Sequence, residues 1–288
     1  MVYPEVLPFY DAGGDGPPAH FAHANGYPPL AYRQLLHGIG NNNHVIAMYM
    51  RPLWPASDPQ TISDWRPFAD DLARFLDQQN LSEVVGWGHS MGATTTLRLA
   101  LHQPKRFRAI ILIDPVFFRP IVIRLWDFMY RLGLVYRVHP LVKGALRRRS
   151  QFETRETMFT NYRKKAVFNR LNDSALHDYV DAVACPQEEG TIELCYPVSW
   201  EARIYATSAR ADLELWRMLP KLKPPVLILR GSETDTFWES TARRVQRCLP
   251  SAAIFTIQNA SHLVALEKPD EILTIADEFL RKLPLRAL

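Results

Sequence analysis

The stretch Gly86-Trp87-Gly88-His89-Ser90-Met91-Gly92-Ala93 decides how the rest of the chain is read. It follows Val84-Val85 and leads into Thr94-Thr95-Thr96-Leu97-Arg98-Leu99-Ala100-Leu101, which stops before Pro104. That is a strand, a G-x-S-x-G turn and a helix. A serine at so sharp a turn has a strained backbone, and Gly88 and Gly92 give the chain room to pass without Cβ collisions. The hydroxyl then projects above a sheet near the positive end of the following helix, where a tetrahedral oxyanion is stabilised. The plain alternative for Ser90 is a helix N-cap.

Working outward, His44-Val45-Ile46-Ala47-Met48-Tyr49, Ala109-Ile110-Ile111-Leu112-Ile113, Val226-Leu227-Ile228-Leu229 and Ala252-Ala253-Ile254-Phe255-Thr256-Ile257 are short apolar runs. They read as strands, most of them buried on both faces. Between them lie helical spacings. Phe68, Leu72, Phe75 and Leu76 form one, with Ser63 and Asp64 as caps and Pro67 near its first turn; Ile272, Ile275, Ala276, Phe279 and Leu280 form another that begins near Pro269. Alternating strand and helix predicts an α/β fold, a mostly parallel sheet flanked by helices.

The alternation breaks between about Asp114 and Pro224, far longer than an ordinary crossover. We expect an inserted, mainly helical cap over 116–223, with a core built from 1–115 and 224–288. Arg119 to Arg170 carries thirteen Lys/Arg against three Asp/Glu, on a chain whose net charge is only +4. Such a surplus suits solvation, or attraction of anionic lipid, an acidic substrate or nucleic acid. Nucleic acid is not expected, because no standard binding motif accompanies the charge.

The 288 residues are 47% hydrophobic and 22% charged, which excludes long disorder. No run is long enough to span a bilayer, so no integral membrane segment is expected. Met1-Val2-Tyr3-Pro4-Glu5 lacks the basic start of a secretory signal, and no apolar run follows before Asp11. Cys185, Cys195 and Cys248 are an odd count without close metal-ligand spacing. Free thiols in a reducing, cytoplasmic setting are the expectation, with a Cys185–Cys195 bridge as the alternative.

A serine hydroxyl attacks only when a base takes its proton. Of nine histidines, His262 sits in the small-residue loop Asn259-Ala260-Ser261-His262, after the last strand and before the final helix, at the same sheet edge as Ser90. His20, His23, His37, His44, His102, His139 and His177 lack that context and read as structural. His89 adjoins the serine, but its side chain is expected to face the wrong side of the turn. The base needs a carboxylate partner, and Asp235, Asp114 and Glu233 all lie in loops after strands. For the oxyanion, the Met91 amide is one expected donor. The Tyr27 amide, in Phe21-Ala22-His23-Ala24-Asn25-Gly26-Tyr27-Pro28, is the other.

Taken together, Phe21 to Ile113 and Pro225 onward resemble the α/β-hydrolase superfamily, in particular its single-chain esterase and lipase-like branch. Asn25-Gly26-Tyr27-Pro28 stands where that family usually has His-Gly-x-Pro, so this chain carries Asn for His. Asp235 follows Gly231 by four residues where many relatives have three. The resemblance implies a catalytic set of Ser90, Asp235 and His262, with Asp235 preferred over Asp114 and Glu233 from the order Ser, acid, His. It also implies a small-molecule acyl substrate and no metal or organic cofactor. Haloalkane dehalogenases and epoxide hydrolases of this fold attack with an aspartate. Serine at that position points instead to acyl transfer, by ester hydrolysis or by thioester, lactone or amide hydrolysis, with C–C hydrolysis and perhydrolysis as rarer variants and a non-catalytic binding protein on the same fold as the rival outside enzymes.

Overall fold

The computed structural model describes residues 4–188 and 190–283. Part of the amino-terminal stretch read for a signal, Met1 to Tyr3, therefore lies outside the described residues. Before the insertion the elements are β1 (Phe9–Gly13), β2 (Pro18–Ala22), α1 (Arg33–Gly40), β3 (His44–Met48), α2 (Arg66–Gln78), β4 (Val84–His89), α3 (Met91–His102) and β5 (Phe107–Ile113). The insertion holds α4 (Pro120–Arg131), α5 (Val135–Val138), α6 (Pro140–Leu146), β6 (Gln151–Phe152), α7 (Arg155–Arg163), α8 (Asp173–Val183), β7 (Ala184–Pro186), β8 (Ile192–Leu194), α9 (Val198–Thr207) and α10 (Leu213–Met218). The chain then returns through β9 (Val226–Gly231), α11 (Glu239–Cys248), β10 (Ala253–Ile257), α12 (Val264–Glu267) and α13 (Pro269–Arg281).

Seven strands form one sheet in the order β1-β3-β2-β4-β5-β9-β10. All its pairs are parallel except β1 with β3 at one edge. The central strands β4, β5 and β9 are buried almost throughout, as their unbroken apolar runs require of a sheet covered on both faces. Each fully buried Leu, Ile or Phe contributes ~1.5–3 kcal/mol of transfer free energy. Neither Ser63 nor Asp64 is the N-cap of α2: Trp65 holds that position without a side-chain cap bond, and Asp64, one residue earlier, accepts the Arg66 amide through Oδ1 at 2.8 Å.

The insertion is helical, with a small antiparallel sheet in the order β6-β8-β7 that the sequence reading did not anticipate. It shares apolar clusters with the core: Tyr196, Trp200 and Trp216 join the side of the sheet that α2 and α3 cover, and Met158, Tyr162 and Tyr179 join the other. A buried ion pair adds to the attachment, Arg98 Nη2 of α3 lying 2.7 Å from Asp212 Oδ1 just before α10. The expectation of free thiols is corrected for two of the three cysteines. Cys185 and Cys195 are disulfide-bonded, and Cys248 is free. The β7–β8 hairpin brings their Cα atoms to 5.2 Å, a proximity that an odd cysteine count cannot reveal. Among the described residues no helix is long and apolar enough to cross a membrane.

Candidate active site

Ser90 stands between β4 and α3 with φ 55° and ψ −119°, a conformation sparsely allowed for any residue with a Cβ. The two glycines make the turn feasible. A Cβ on Gly92 would lie 2.0 Å from the Ala22 carbonyl oxygen, and one on Gly88 would lie 2.6 Å from the Gly92 backbone. The strain is held in place by the Ser90 amide donating to Ile113 O (3.0 Å) and the Thr94 amide donating to Ser90 O (3.1 Å).

His262 Nε2 is 2.8 Å from Ser90 Oγ, and its Nδ1 is 2.6 Å from Asp114 Oδ2. The loop bearing His262 is fastened by Glu267, which accepts from the Ser261 amide at 2.8 Å and from the Ser261 hydroxyl. It also presses on Gly231, where a Cβ would fall 2.3 Å from Ser261 O. Burial works against a charge on the imidazole, but the hydrogen bond and charge of Asp114, joined by Asp235 and Glu267, leave its pKa above the ordinary histidine value.

The structure therefore brings Ser90 and His262 together as expected, but joins Asp114 to the imidazole where the sequence reading preferred Asp235. Asp114 is fully buried at the end of β5. Its Oδ1 accepts the Gly231 amide at 3.0 Å, and its Oδ2 accepts the hydroxyls of Thr234 and of Thr236 (2.9 Å). Asp235 lies between those threonines and is exposed, acting on His262 only through its charge. Glu233 is exposed too, and pairs with Arg170 at 2.5 Å.

The two amides expected as oxyanion donors differ in readiness. Met91 opens α3, so its amide has no carbonyl one turn back to bond. The Tyr27 amide instead donates to Ala24 O at 3.2 Å, across a turn in which Gly26 takes φ 77°. The Tyr27 ring packs on Tyr179, 5.0 Å between centroids. Asn25, at the position where the chain departs from its look-alikes, grips the insertion: its Nδ2 donates to Glu201 O (3.1 Å) and its Oδ1 accepts from Tyr196 OH (2.9 Å). Above Gly26 lie Glu201 and Arg148, themselves paired at 2.7 Å, with Arg148 also donating to Tyr162 OH at 2.9 Å.

His89 does not point idly away from the turn. It donates through Nε2 to the His262 carbonyl (2.8 Å), which leaves Nδ1 to accept from Tyr32 OH (2.7 Å). The Tyr32 oxygen in turn accepts the Ala24 amide at 3.2 Å. Burial pushes the His89 pKa down to about 3, with the neighbouring His262 adding to the shift, so the ring is neutral as this chain of bonds requires. The loop of His262 and the turn of Asn25 are thus tied through one imidazole. In the sequence, the only signal was the position of His89 beside Ser90.

Comparison with known proteins agrees with this fold. The sequence pattern of the Alpha/beta hydrolase family matches residues 10–275. The chain belongs to that family. Among curated relatives, this alpha/beta hydrolase is 24% identical over 230 residues to ethanol acetyltransferase 1 of Hanseniaspora uvarum, a match covering 76% of the chain and 65% of that relative. It is 22% identical over 265 residues to the uncharacterized hydrolase YugF of Bacillus subtilis, covering 88% of the chain and 85% of the relative. Among solved structures, E-2-(acetamidomethylene)succinate hydrolase superposes with a TM-score of 0.75 at 19% identity, over 96% of this chain and 95% of that one. Among the described residues no cluster of His, Cys, Asp or Glu is placed to hold a metal ion.

Proposed function

We propose that this alpha/beta hydrolase is a serine hydrolase that cleaves a small-molecule carboxylic ester through an acyl-enzyme. The observation that carries the reading is the hydrogen-bonded line from Ser90 Oγ through His262 to Asp114. Ser90 attacks the carbonyl carbon while His262 Nε2 takes its proton, and Asp114 holds the Nδ1 tautomer and offsets the imidazolium charge. The Met91 amide is the first oxyanion donor. The Tyr27 amide serves as the second once it turns from the Ala24 carbonyl. His262 then returns the proton to the departing alcohol, and water, activated by the same imidazole, releases the acid.

In this reading residues 116–223 act as a cap, whose aromatic residues favour an apolar acyl or alcohol portion. A second reading is an anionic acyl substrate, favoured by the excess of thirteen Lys/Arg over three Asp/Glu between Arg119 and Arg170. The deciding experiment is hydrolysis of a chromogenic ester series from short to long chain, with a thioester, an amide and an acidic ester included, and with ethanol tested as an alternative acyl acceptor. Labelling of Ser90 by a fluorophosphonate accompanies it. Retention of activity by Ser90→Ala, where a loss of about 10⁴- to 10⁶-fold in kcat is expected, would overturn the proposal.

A further inference from the structure

The insertion presents an apolar stripe to solvent where an ordinary surface helix presents charge. In α4, Ile121, Leu125 and Phe128, continued by Leu132, follow one another at helical spacing on a single face, and Ile121 and Phe128 are 66% and 58% exposed. The opposite face of α4 is the packed one: Ile123 is buried, and Trp126 and Tyr130 pack on the small cluster around Val135, Val142 and Ala145. Beyond α4 the pattern continues, with Val138, Leu141 and Leu146 exposed around the buried Val142 and Ala145. Among the described residues, most of the large exposed apolar side chains thus fall within one segment, a concentration that marks a binding surface rather than scattered exposure.

Charge accompanies the stripe. Arg124 and Arg131 flank it on α4, and Arg137, Lys143 and Arg147 are exposed along the continuing segment. Asp127 is the only acidic residue between Arg119 and Arg149, and it is already paired with both Arg131 and Arg210. A groove lined by Arg119, Ser240, Arg243, Arg244, Gln246 and Arg247 carries the positive charge from the foot of α4 onto α11. An apolar face edged by arginines is complementary to one kind of surface in both respects: acyl chains take the apolar side chains, and anionic headgroups take the guanidinium groups.

We propose that the α4–α6 face docks on an anionic lipid bilayer, with Ile121, Leu125, Phe128 and Leu132 entering the headgroup boundary and the surrounding arginines on the phosphates. The chain rests on the surface without crossing it. Neither attraction suffices alone, since a few partly inserted side chains give reversible binding and basic residues add to it only within a Debye length.

Co-sedimentation of the full chain with vesicles tests this without reference to hydrolysis. The protein is expected to pellet with vesicles of phosphatidylcholine mixed with phosphatidylglycerol, far less with phosphatidylcholine alone, and progressively less with the mixed vesicles as salt rises. Leu125→Ser combined with Phe128→Ser, and separately Arg124→Glu combined with Lys143→Glu, should each weaken partitioning by about tenfold or more. Both variants should keep the wild-type melting temperature and wild-type activity on a water-soluble ester, because these side chains lie outside the core and the site. Absence of binding to the anionic vesicles, or binding that neither variant alters, would overturn the proposal. So would a dimer in solution that Phe128→Ser splits, with no vesicle binding, since the stripe would then serve a second copy of the chain.

Discussion

The Asp114 carboxylate and the His262 imidazole meet at 2.6 Å across 148 residues of sequence. The carboxylate comes from the end of β5, before the insertion, and the imidazole from the loop after β10. The first prediction follows from that pairing. Asp114→Asn should lower kcat by about 10⁴-fold, since an amide no longer fixes the imidazole tautomer, whereas Asp235→Asn should stay within a few-fold of wild type. Steady-state kinetics on one ester substrate compares the two, and a larger loss in Asp235→Asn than in Asp114→Asn would return the acid's role to Asp235.

A pH profile tests the electrostatics of the same pair. In the proposed mechanism only neutral His262 accepts the Ser90 proton, and its folded pKa lies above the ordinary value. The acid limb of kcat/KM should therefore fall at a pH above that expected of a free histidine, and rate should be lost as pH drops through it. In the residual activity of Asp114→Asn the limb should move to lower pH, because the raising interaction is gone. The same shift bears on folding: protonation of His262 favours the folded state at low pH, and that contribution fades as pH rises through the folded value.

Sequence and structure diverged at the acid for a physical reason. β5 and β9 are neighbours, so loops leaving both ends overhang the same sheet edge, and an aspartate on either reaches His262 in principle. Chain order could not choose, because Asp114 also lies between Ser90 and His262. What chooses is the course of residues 234–236: Thr234 and Thr236 turn their hydroxyls inward onto Asp114, and Asp235 between them is turned out. Ser90 was legible because G-x-S-x-G describes a backbone geometry, and His262 because a loop after the last parallel strand has one destination. The role of Asn25 was hidden, since its partners, Tyr196 and Glu201, lie in the insertion and no local pattern announces them.

His89 gives a third test. His89→Ala leaves the His262 carbonyl and the Tyr32 hydroxyl without their buried partner, at about 1–3 kcal/mol for each unsatisfied group. The melting temperature should fall, and kcat should drop by roughly tenfold to a hundredfold with KM little changed, as a slightly misplaced base would cause. Tyr32→Phe should do less, because the bond from His89 to the His262 carbonyl survives. A kcat unchanged in His89→Ala would show that the loop of His262 holds its position unaided.

Gly92→Ala is expected to prevent folding of the turn. The new methyl would stand 2.0 Å from the Ala22 carbonyl oxygen, a backbone atom held in β2 against β4. Little or no soluble protein, or a melting temperature lowered by many degrees, is the expected outcome on expression and thermal denaturation.

Reduction of the Cys185–Cys195 bridge should be mild by comparison. It closes a short loop, ten residues in sequence separation, so chain entropy assigns it about 2–3 kcal/mol. Reductant, or Cys185→Ser with Cys195→Ser, should lower the melting temperature by several degrees and leave ester turnover near wild type, since the hairpin touches neither Ser90 nor His262.

Asn25 holds Glu201 O and Tyr196 OH with one side chain while its own backbone forms the turn beside Ser90. Any swing of α9 away from the sheet therefore pulls on that turn. Were the insertion to lift, the turn proposed to supply an oxyanion donor would move with it, so that covering a bound substrate and arranging that donor would be one event rather than two.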